Sequence, residues 1–343
     1  MQLKTAYDIN KTDSKQWASF IESHPQGTVF QSPDMFLLFE SAKNFHPLVI
    51  IAKDNERITG VLLAVIIREF GGPFGFLSSR TVVYGGPLID PAISNREAIL
   101  EEILRELIRA VKNRSVFIQF RNFSDRKSDI PVFESLGFNY MDRLNYLLDT
   151  ADETLVKKRM SNSKWRQIRK GLEAGAAIIE PENENQVRDF YDILFALYKN
   201  KVKKPLPRYS FFKHFYRQTI NGQTGIIRLV KYQDKIIGGI LSPVQKNKVI
   251  YEWYVCGLDQ DYKNIYPSVL ATWAAIEYGL KNNLETFDFM GVGVPDKDYG
   301  VREFKSKFGG ELVNFGRFGR INNHFIYTIT EIGFNVLALL RKI

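Results

Sequence analysis

The sequence predicts an α/β protein with mixed sheets, made of two tandem copies of one unit. Residues 51–63 (IAKDNERITGVLL) have the pattern of a strand, a charged turn and a second strand. Residues 229–241 (LVKYQDKIIGGIL) repeat this pattern 178 positions later, with Gly238 in the place of Gly60. The same series of elements follows each hairpin, which indicates duplication of one unit more strongly than a single matching hairpin does.

The elements after each hairpin are a helix, a short apolar strand and a glycine turn into another strand. In the first half the pattern predicts a helix over residues 96–113 and a strand over residues 115–120. In the second half it predicts them over residues 268–283 and 285–290. This order resembles the GNAT N-acyltransferase fold, in which two central strands splay apart to admit the acyl donor.

Two helices are predicted ahead of the first hairpin. Residues 13–23 form a helix with Asp13 as its N-cap, and a second helix begins at Pro33 with Ser32 as its cap. The predicted first unit covers residues 1–150 and the second covers residues 151–324. No low-complexity linker separates them, so we expect the two units to be packed together.

The composition favours a globular protein without disulfides or a metal site. The chain has 343 residues, 45% of them hydrophobic, which is enough for about two domains of ordinary size. Cys256 is the one cysteine, and the four histidines are too scattered for a zinc site. The chain has no leader-like N-terminus and no apolar run near the roughly 20 residues of a membrane span. We therefore expect a cytoplasmic protein.

The excess positive charge is confined to the second half of the chain. The net charge is +9, with 17 Lys and Arg against 18 Asp and Glu up to residue 150, and 30 against 20 after it. A local basic excess favours a polyanionic partner such as a nucleic acid, a phosphorylated ligand or the anionic face of the cytoplasmic membrane. Charge alone leaves simple solubility as an equal alternative.

Two basic runs contribute much of this excess. Residues 157–170 (KKRMSNSKWRQIRK) contain seven Lys or Arg and no acidic residue. As a helix this run presents three cations on one face and three apolar residues on the other. The cations are Arg166, Arg169 and Lys170, and the apolar residues are Trp165, Ile168 and Leu172.

Residues 199–217 (KNKVKKPLPRYSFFKHFYR) also contain seven Lys or Arg and no acidic residue, here mixed with aromatic residues. This mixture suits a nucleic-acid strand, which pairs through its phosphates and stacks through its bases. It also suits a helix whose aromatic residues are docked on the core. For the aromatic residues we favour the docked helix.

Neither half has the glycine-rich turn with which GNAT enzymes hold coenzyme A. That turn points bare backbone amides from a helix N-terminus at the pyrophosphate. Residues 90–95 (DPAISN) and 261–268 (DYKNIYPS) stand in the two corresponding positions and contain no glycine. No dinucleotide fingerprint and no P-loop occurs elsewhere in the sequence. We therefore expect no bound cofactor and an acyl donor other than coenzyme A.

The most distinctive segment is residues 288–310 (DFMGVGVPDKDYGVREFKSKFGG). The phenylalanines on either side of Asp288 are expected to face the core while Asp288 points the other way. Beyond a glycine turn, Arg302, Lys305 and Lys307 lie close together, where they could meet a phosphate or a developing oxyanion. A solvated basic helix with buried phenylalanines fits the spacing equally well.

Four segments together resemble the FemABX family of peptidoglycan bridge-forming enzymes. They are Gln31-Ser32 at the start of a helix, residues 84–90 (YGGPLID), residues 164–171 (KWRQIRKG) and residues 287–310. The resemblance extends over nearly the whole chain. Its most specific parts are Arg-x-Ile-Arg-Lys-Gly at residues 166–171 and the closing Phe-Lys-x-Lys-Phe-Gly-Gly at residues 304–310.

The resemblance implies two tandem GNAT-like lobes, aminoacyl-tRNA as the donor and a lipid-linked or nucleotide-linked muropeptide as the acceptor. It implies that a C-terminal segment at about residues 325–343 completes the first lobe. The family's lysine that steadies the tetrahedral intermediate corresponds to Lys305, with Lys307 as the alternative. No heptad pattern marks the coiled-coil arm of staphylococcal members. Gly85-Gly86-Pro87 replaces the family's commoner Arg-Gly-Pro, which leaves the acceptor open.

The reaction implied by this resemblance is attack of an amine on an aminoacyl ester. The ester is already activated, so the enzyme positions both partners, stabilises the oxyanion and handles a proton without a covalent intermediate. The predicted catalytic residues are Lys305, for the oxyanion, and Asp288, as a proton acceptor. Asp288 as a turn cap is the preferred interpretation. The predicted substrate-binding residues are Lys164, Arg166, Arg169, Tyr254, Asp298, Tyr299, Arg302, Phe304 and Lys307, with Asp298 as a second candidate proton acceptor.

Two other functions remain open from the sequence. The first is a GNAT-like N-acyltransferase that uses acyl-CoA or an acyl carrier protein. The second is a protein without catalytic activity that binds tRNA or an anionic lipid.

Overall fold

The structure is a computed structural model that describes residues 2–69 and 75–328. The chain divides into two compact units. The first contains the chain up to Asp142 and returns at Phe315, and the second is Arg143–Asn314. Each unit has its own eight-stranded sheet, so the predicted α/β fold with two mixed sheets is confirmed.

The helices and strands follow one another in the order that the repeat predicts. The chain begins with β1 (Gln2–Ala6), α1 (Ser14–Ser23), α2 (Pro33–Glu40), β2 (Phe45–Asp54), β3 (Arg57–Arg68), β4 (Ser79–Tyr84), β5 (Leu88–Ile89), α3 (Arg96–Val111), β6 (Phe117–Arg121), α4 (Ile130–Ser135) and β7 (Asn139–Met141). The second unit contains β8 (Leu144–Asp149), α5 (Glu153–Arg159), α6 (Asn162–Glu173), β9 (Ala177–Ile179), α7 (Glu184–Leu197), α8 (Tyr209–Ile220), β10 (Gly225–Tyr232), β11 (Lys235–Gln245), β12 (Val249–Tyr251), β13 (Tyr254–Gly257), α9 (Pro267–Lys281), β14 (Thr286–Asp288), α10 (Gly300–Ser306) and β15 (Glu311–Asn314). The chain then returns to the first unit as β16 (Arg317–Ile321).

The two sheets have matching strand orders. The first sheet has the order β1-β2-β3-β4-β6-β16-β7, with β5 also paired to β3. Starting from the corresponding edge, the second sheet has the order β9-β10-β11-β12-β14-β8-β15, with β13 also paired to β11. Each sheet is antiparallel except for one central pair, β4 with β6 and β12 with β14. The core of the first unit packs β2, β3 and β6 against α3, and that of the second packs its sheet against α9.

The duplicated hairpins carry the same irregularity. In β3, Thr59 is an extra residue between the register pairs Ala52↔Gly60 and Lys53↔Ile58. In β11, Ile237 is the extra residue of a matching bulge. Each extra carbonyl accepts a hydrogen bond from a third segment, Asp90 N at 2.9 Å in the first unit and Leu258 N at 2.9 Å in the second. The bulge bends the strand and increases its twist, so the same strand pairs with two different partners along its length.

The position of two strands differs from the predicted domain boundaries. The predicted first unit extends to residue 150, but β8 pairs on both sides within the second sheet, with β14 and β15. Conversely β16, predicted in the second unit, lies between β6 and β7 of the first sheet. The segment that completes the first unit therefore begins near residue 315. Of the predicted 325–343 segment, residues 329–343 lie outside the described residues.

The local signals for the first two helices are confirmed. The Asp13 carboxylate accepts a hydrogen bond from Gln16 N at 3.0 Å, and Ser32 Oγ accepts one from Met35 N at 3.2 Å, with Pro33 at the first helical position. These side chains satisfy amides that the first turn of each helix leaves unpaired.

The aromatic residues of the second basic run belong to the core. In α8, Phe211, Phe212, Phe215 and Tyr216 are buried, so they are not available to stack on a nucleic-acid strand. The docked helix is therefore the interpretation that the structure supports. In the described part of the chain, no helix combines the length and the apolar character that crossing a membrane requires.

Candidate functional site

The central strands of the second sheet separate at one point. The parallel pairing of β12 with β14 ends at Tyr251↔Asp288, and the last hydrogen bond between these two segments runs from Glu252 N to Asp288 O at 2.9 Å. Beyond it, β13 pairs with β11 alone in the sheet. We call the gap between residues 252–254 and residues 289–290 the wedge. It corresponds to the place where the GNAT fold is expected to admit its acyl donor.

Lys305 reaches from α10 to the start of the wedge. Its ammonium donates to Phe289 O at 2.5 Å, a carbonyl just beyond the last pair of β14, and forms an ion pair with Glu252 Oε1 at 2.8 Å. The side chain is 11% exposed. A cation with one side towards solvent therefore lies where the two strands part.

Glu252 is the ion-pair partner of Lys305, and the sequence did not predict it. Its side chain is only 1% exposed, and burial raises the pKa of its carboxyl while the neighbouring Lys305 lowers it. Its Oε1 is paired with Lys305, and Thr272 is a further hydrogen-bonding neighbour that lowers this pKa. Within the described residues, the buried hydroxyl of Ser242 has no hydrogen-bond partner. Buried polar atoms in native proteins are rarely left in this state, and such groups call for an explanation.

Asp288 closes the turn that follows β14. Its Oδ1 accepts hydrogen bonds from Met290 N at 2.6 Å and from Asn145 Nδ2 at 2.7 Å. Asn145 in turn accepts from Gly291 N at 2.7 Å. Burial raises the pKa of Asp288 to about 6, against the lowering effect of these hydrogen bonds and of Lys305. The arrangement is that of a turn cap, the preferred interpretation of the sequence. Asp288 is buried, however, although it was expected to face away from the core, because β14 is covered on both faces.

We expect Asp288→Asn to preserve both the fold and the activity of the site. Both hydrogen bonds end on Oδ1, which asparagine retains, so turnover should avoid the loss of about 100-fold that removal of a general base causes. The raised pKa means that wild-type stability falls as pH rises from about 4 to 6, by up to about 3 kcal/mol. Urea unfolding across this range should show a smaller decline for the variant. A 100-fold loss of turnover in a stable variant would instead make Asp288 the proton acceptor.

Arg302 does not have the free guanidinium that a phosphate contact requires. All three of its nitrogen atoms donate to backbone carbonyls of the preceding loop, to Val292 O at 3.0 Å, to Pro295 O at 3.2 Å and to Val294 O. Its role is to fix the loop that leads into α10. Lys307 is exposed and pairs with Glu303 at 2.7 Å, one turn earlier on the same helix.

Lys164 was predicted to bind substrate and lies inside the unit. It is 5% exposed, and its ammonium sits 3.7 Å from the ring centroid of Phe304 and 5.2 Å from that of Phe308. Desolvation, with a smaller effect of Lys307, lowers the pKa of Lys164 to about 8. The lysine therefore holds Phe304 beside Lys305 through a cation–π contact.

The packing of the inward face of α6 explains why Lys164 is buried. The helix buries Lys164, Ile168 and Gly171, while Leu172, predicted inside, is 40% exposed. A Cβ on Gly171 would lie 2.4 Å from Ile265 O, so this glycine permits the close approach of α6 to the segment before α9. The opposite face presents Arg166, Arg169 and Lys170 as predicted, all three exposed.

The remaining predicted residues lie on the rim of the unit or in an aromatic cluster. Asp298 is exposed and Tyr299, at the start of α10, is 43% exposed. Tyr254, the first residue of β13, is half-buried, with its ring centroid 5.2 Å from those of Phe212 and Trp253. The structure thus brings Lys305, Phe304 and Lys164 together, and it leaves Arg166 and Arg169 on a separate exposed face of α6.

The N-terminus of α9 is already occupied by groups of the protein. Pro267 at its first position has no N–H, and Ser268 donates its backbone amide to the Asp259 carboxylate at 3.0 Å and its hydroxyl to the same carboxylate. The amides of Val269 and Leu270 donate to Tyr266 O at 3.0 and 3.1 Å. No amide of this first turn is free to receive a diphosphate.

The first unit lacks the corresponding cation. Each of α4 and α10 ends near a glycine of positive φ, Gly137 at +78° and Gly309 at +90°. Four positions before that glycine stands Phe133 in the first unit and Lys305 in the second. Phe133 is buried and stacks on Phe318 with ring centroids 3.8 Å apart. The position that holds Lys305 in the second unit therefore holds a buried, uncharged ring in the first.

Comparison with known proteins agrees with this architecture. Residues 158–306 match the family described as acetyltransferase (GNAT) domain. No curated protein matches the chain in sequence. The crystal structure of FemX has a TM-score of 0.71 with 14% identity, over 96% of this chain and 99% of FemX. L-PGS from Bacillus licheniformis has a TM-score of 0.59 with 11% identity, over 91% and 93%. A tandem GNAT protein from the clavulanic acid biosynthesis pathway has a TM-score of 0.55 with 14% identity, over 94% and 99%.

Proposed function

From the tandem GNAT fold that this chain shares with FemX, we propose that the protein is an aminoacyltransferase. It moves an amino acid from aminoacyl-tRNA onto an amine of a peptidoglycan precursor, a lipid-linked or nucleotide-linked muropeptide. The observation that carries the proposal is the position of the Lys305 ammonium, where β12 and β14 part in the second unit. A donor ester that enters the wedge would meet a fixed cation at its carbonyl oxygen.

The proposed reaction needs little beyond positioning and charge. The acceptor amine attacks the ester carbonyl carbon, a C–N bond forms, the C–O bond to the ribose breaks, and the amine proton passes to the departing ribose oxygen. Lys305 donates to the carbonyl oxygen as it becomes an oxyanion, and its own position is fixed by Phe289 O and Glu252. Asp288, whose Oδ1 is engaged in the turn, takes no part in this transfer.

Two features support tRNA rather than coenzyme A as the carrier of the donor. The first turn of α9 has no free amide for a diphosphate, and the Asp259 carboxylate stands in front of it. Exposed Arg166, Arg169 and Lys170 form a cationic face on α6 that suits a polyanion. The occupied first turn of α9 is not expected of a protein that holds coenzyme A by its diphosphate.

A purified transfer assay tests the proposal. The protein is incubated with a pool of charged tRNA and with nucleotide-linked and lipid-linked muropeptides, and the products are identified by mass spectrometry. We expect a muropeptide heavier by one or more amino acid residues. Calorimetric titration with coenzyme A should give no tight binding. Tight binding together with acyl transfer from acyl-CoA would favour the GNAT-like N-acyltransferase, and tRNA binding without any transfer would favour a protein that only binds.

A further inference from the structure

We infer that Glu252 binds the free α-ammonium group of the aminoacyl donor, next to the carbonyl oxygen that Lys305 holds. The inference rests on the proposed function, because it concerns the donor of that reaction. It assigns Glu252 as a residue that determines specificity for the donor. An acyl group without an α-amino group would offer this carboxylate no partner.

The unsatisfied atoms around Glu252 point to a missing ligand. Oε1 faces the Lys305 ammonium at 2.8 Å, while Oε2 receives no hydrogen bond within residues 2–69 and 75–328. Thr272, a hydrogen-bonding neighbour of Glu252, lowers the pKa of its carboxyl. A buried carboxylate oxygen left without a donor costs free energy, which a cationic group of the donor would offset.

Within the described residues, a second buried polar group without a hydrogen-bond partner lies on the neighbouring strand. Ser242 lies in β11 between Leu241, which pairs with Tyr254 of β13, and Val244, which pairs with Ile250 of β12. This register puts it opposite the break between β12 and β13, where Glu252 leaves the parallel pairing. Its hydroxyl is buried and has no hydrogen-bond partner in the described part of the chain. Ser242 therefore adds a buried hydroxyl to the polar groups beside the wedge.

The order of the charged groups at the wedge suits an aminoacyl ester. The carbonyl oxygen and the α-nitrogen of such an ester are separated by three covalent bonds, or about 3 Å. Lys305 Nζ and Glu252 Oε1 are 2.8 Å apart. A donor ammonium on Oε2 would leave Oε1 with Lys305, so that the carbonyl oxygen meets the lysine while the ammonium meets the carboxylate. The Glu252 carboxylate then lies between the donor ammonium and the Lys305 ammonium. The oxyanion that develops on the ester carbonyl lies between the same two cations.

Binding of stable donor analogues tests the inference without requiring turnover. The probes are aminoacyl amides of 3′-amino-3′-deoxyadenosine with small, large and charged side chains, each paired with a counterpart that lacks the α-amino group. By calorimetry, the full-length wild-type protein should bind its preferred aminoacyl analogue about 100-fold more tightly than the deaminated counterpart. Glu252→Gln should lose most of this preference while keeping its affinity for the deaminated analogue. Glu285→Gln, a change at an exposed glutamate, should behave as wild type.

The outcomes separate the inference from the proposed function. If no aminoacyl analogue binds the wild type better than its deaminated counterpart, Glu252 does not recognise the ammonium, whatever the variant does. If Glu252→Gln retains the full preference, the recognition lies elsewhere. A wild type that shows the preference but transfers nothing from charged tRNA would keep the binding role and reject the transfer reaction. A wild type that transfers without any preference would reject the inference alone.

Discussion

Lys305→Met is expected to slow aminoacyl transfer by about 100-fold or more, as removal of one preorganised oxyanion donor does in other enzymes. Methionine retains an unbranched side chain of similar length, so it fills the space between Phe289 and Glu252 without the charge. The ammonium is held in advance by a carbonyl and a carboxylate, and it therefore needs no reorganisation during the reaction. Single-turnover rates with saturating charged tRNA measure the chemical step directly.

The matched control for Lys305→Met is Lys281→Ala. Lys281 is an exposed lysine near the end of α9 that pairs with Glu277 at 3.0 Å, and a surface pair of this kind contributes little stability. We expect its transfer rate to equal that of the wild type. Full turnover in a folded Lys305→Met protein would remove Lys305 from the mechanism and leave Lys307 as the family-implied lysine to be tested in its place.

The sequence predicted the elements of the fold because each depends on signals close together along the chain. Asp13 and Ser32 act on the helices that follow them, and the paired glycines at 60 and 238 mark bulges within one hairpin. The exchange of β8 and β16 between the two sheets has no such local signal. The alternation of inward and outward side chains along β8 or β16 does not show which of the two sheets the strand joins. The boundary predicted from the sequence is therefore a few residues too late.

The site was predictable only where a motif marked it. Lys305 was found through the Phe-Lys-x-Lys-Phe segment, but Glu252 precedes it by 53 positions, and nothing in the sequence marks where β12 and β14 part. The burial of Lys164 was not predicted, for a different reason. Helical periodicity assigns lysine to the solvent face, whereas a cation–π contact with Phe304 and the close approach at Gly171 turn α6 so that this lysine faces inward.

The second large effect is expected from separating the charges of the Lys305–Glu252 pair. Lys305→Met leaves a carboxylate that is 1% exposed without its cation, and loss of one partner from a buried pair typically costs about 3–5 kcal/mol. The double variant Lys305→Met/Glu252→Gln removes both charges and should recover most of that loss. Urea unfolding of the wild type, both single variants and the double variant gives the coupling energy from one cycle.

The pH dependence of the Lys305→Met variant tests the same pair independently. Burial already raises the pKa of Glu252, and Lys305 is the first cause that lowers it, so the variant should raise this pKa further. A carboxyl whose pKa is higher in the folded state than in the unfolded state loses its stabilising contribution as pH rises towards the folded value. The stability deficit of Lys305→Met should therefore be smaller at pH 5 than at pH 8, and Glu252→Gln in the double variant should abolish that difference. A deficit that does not change with pH would mean that Lys305 supports the fold through Phe289 O and its packing rather than through the charge of Glu252.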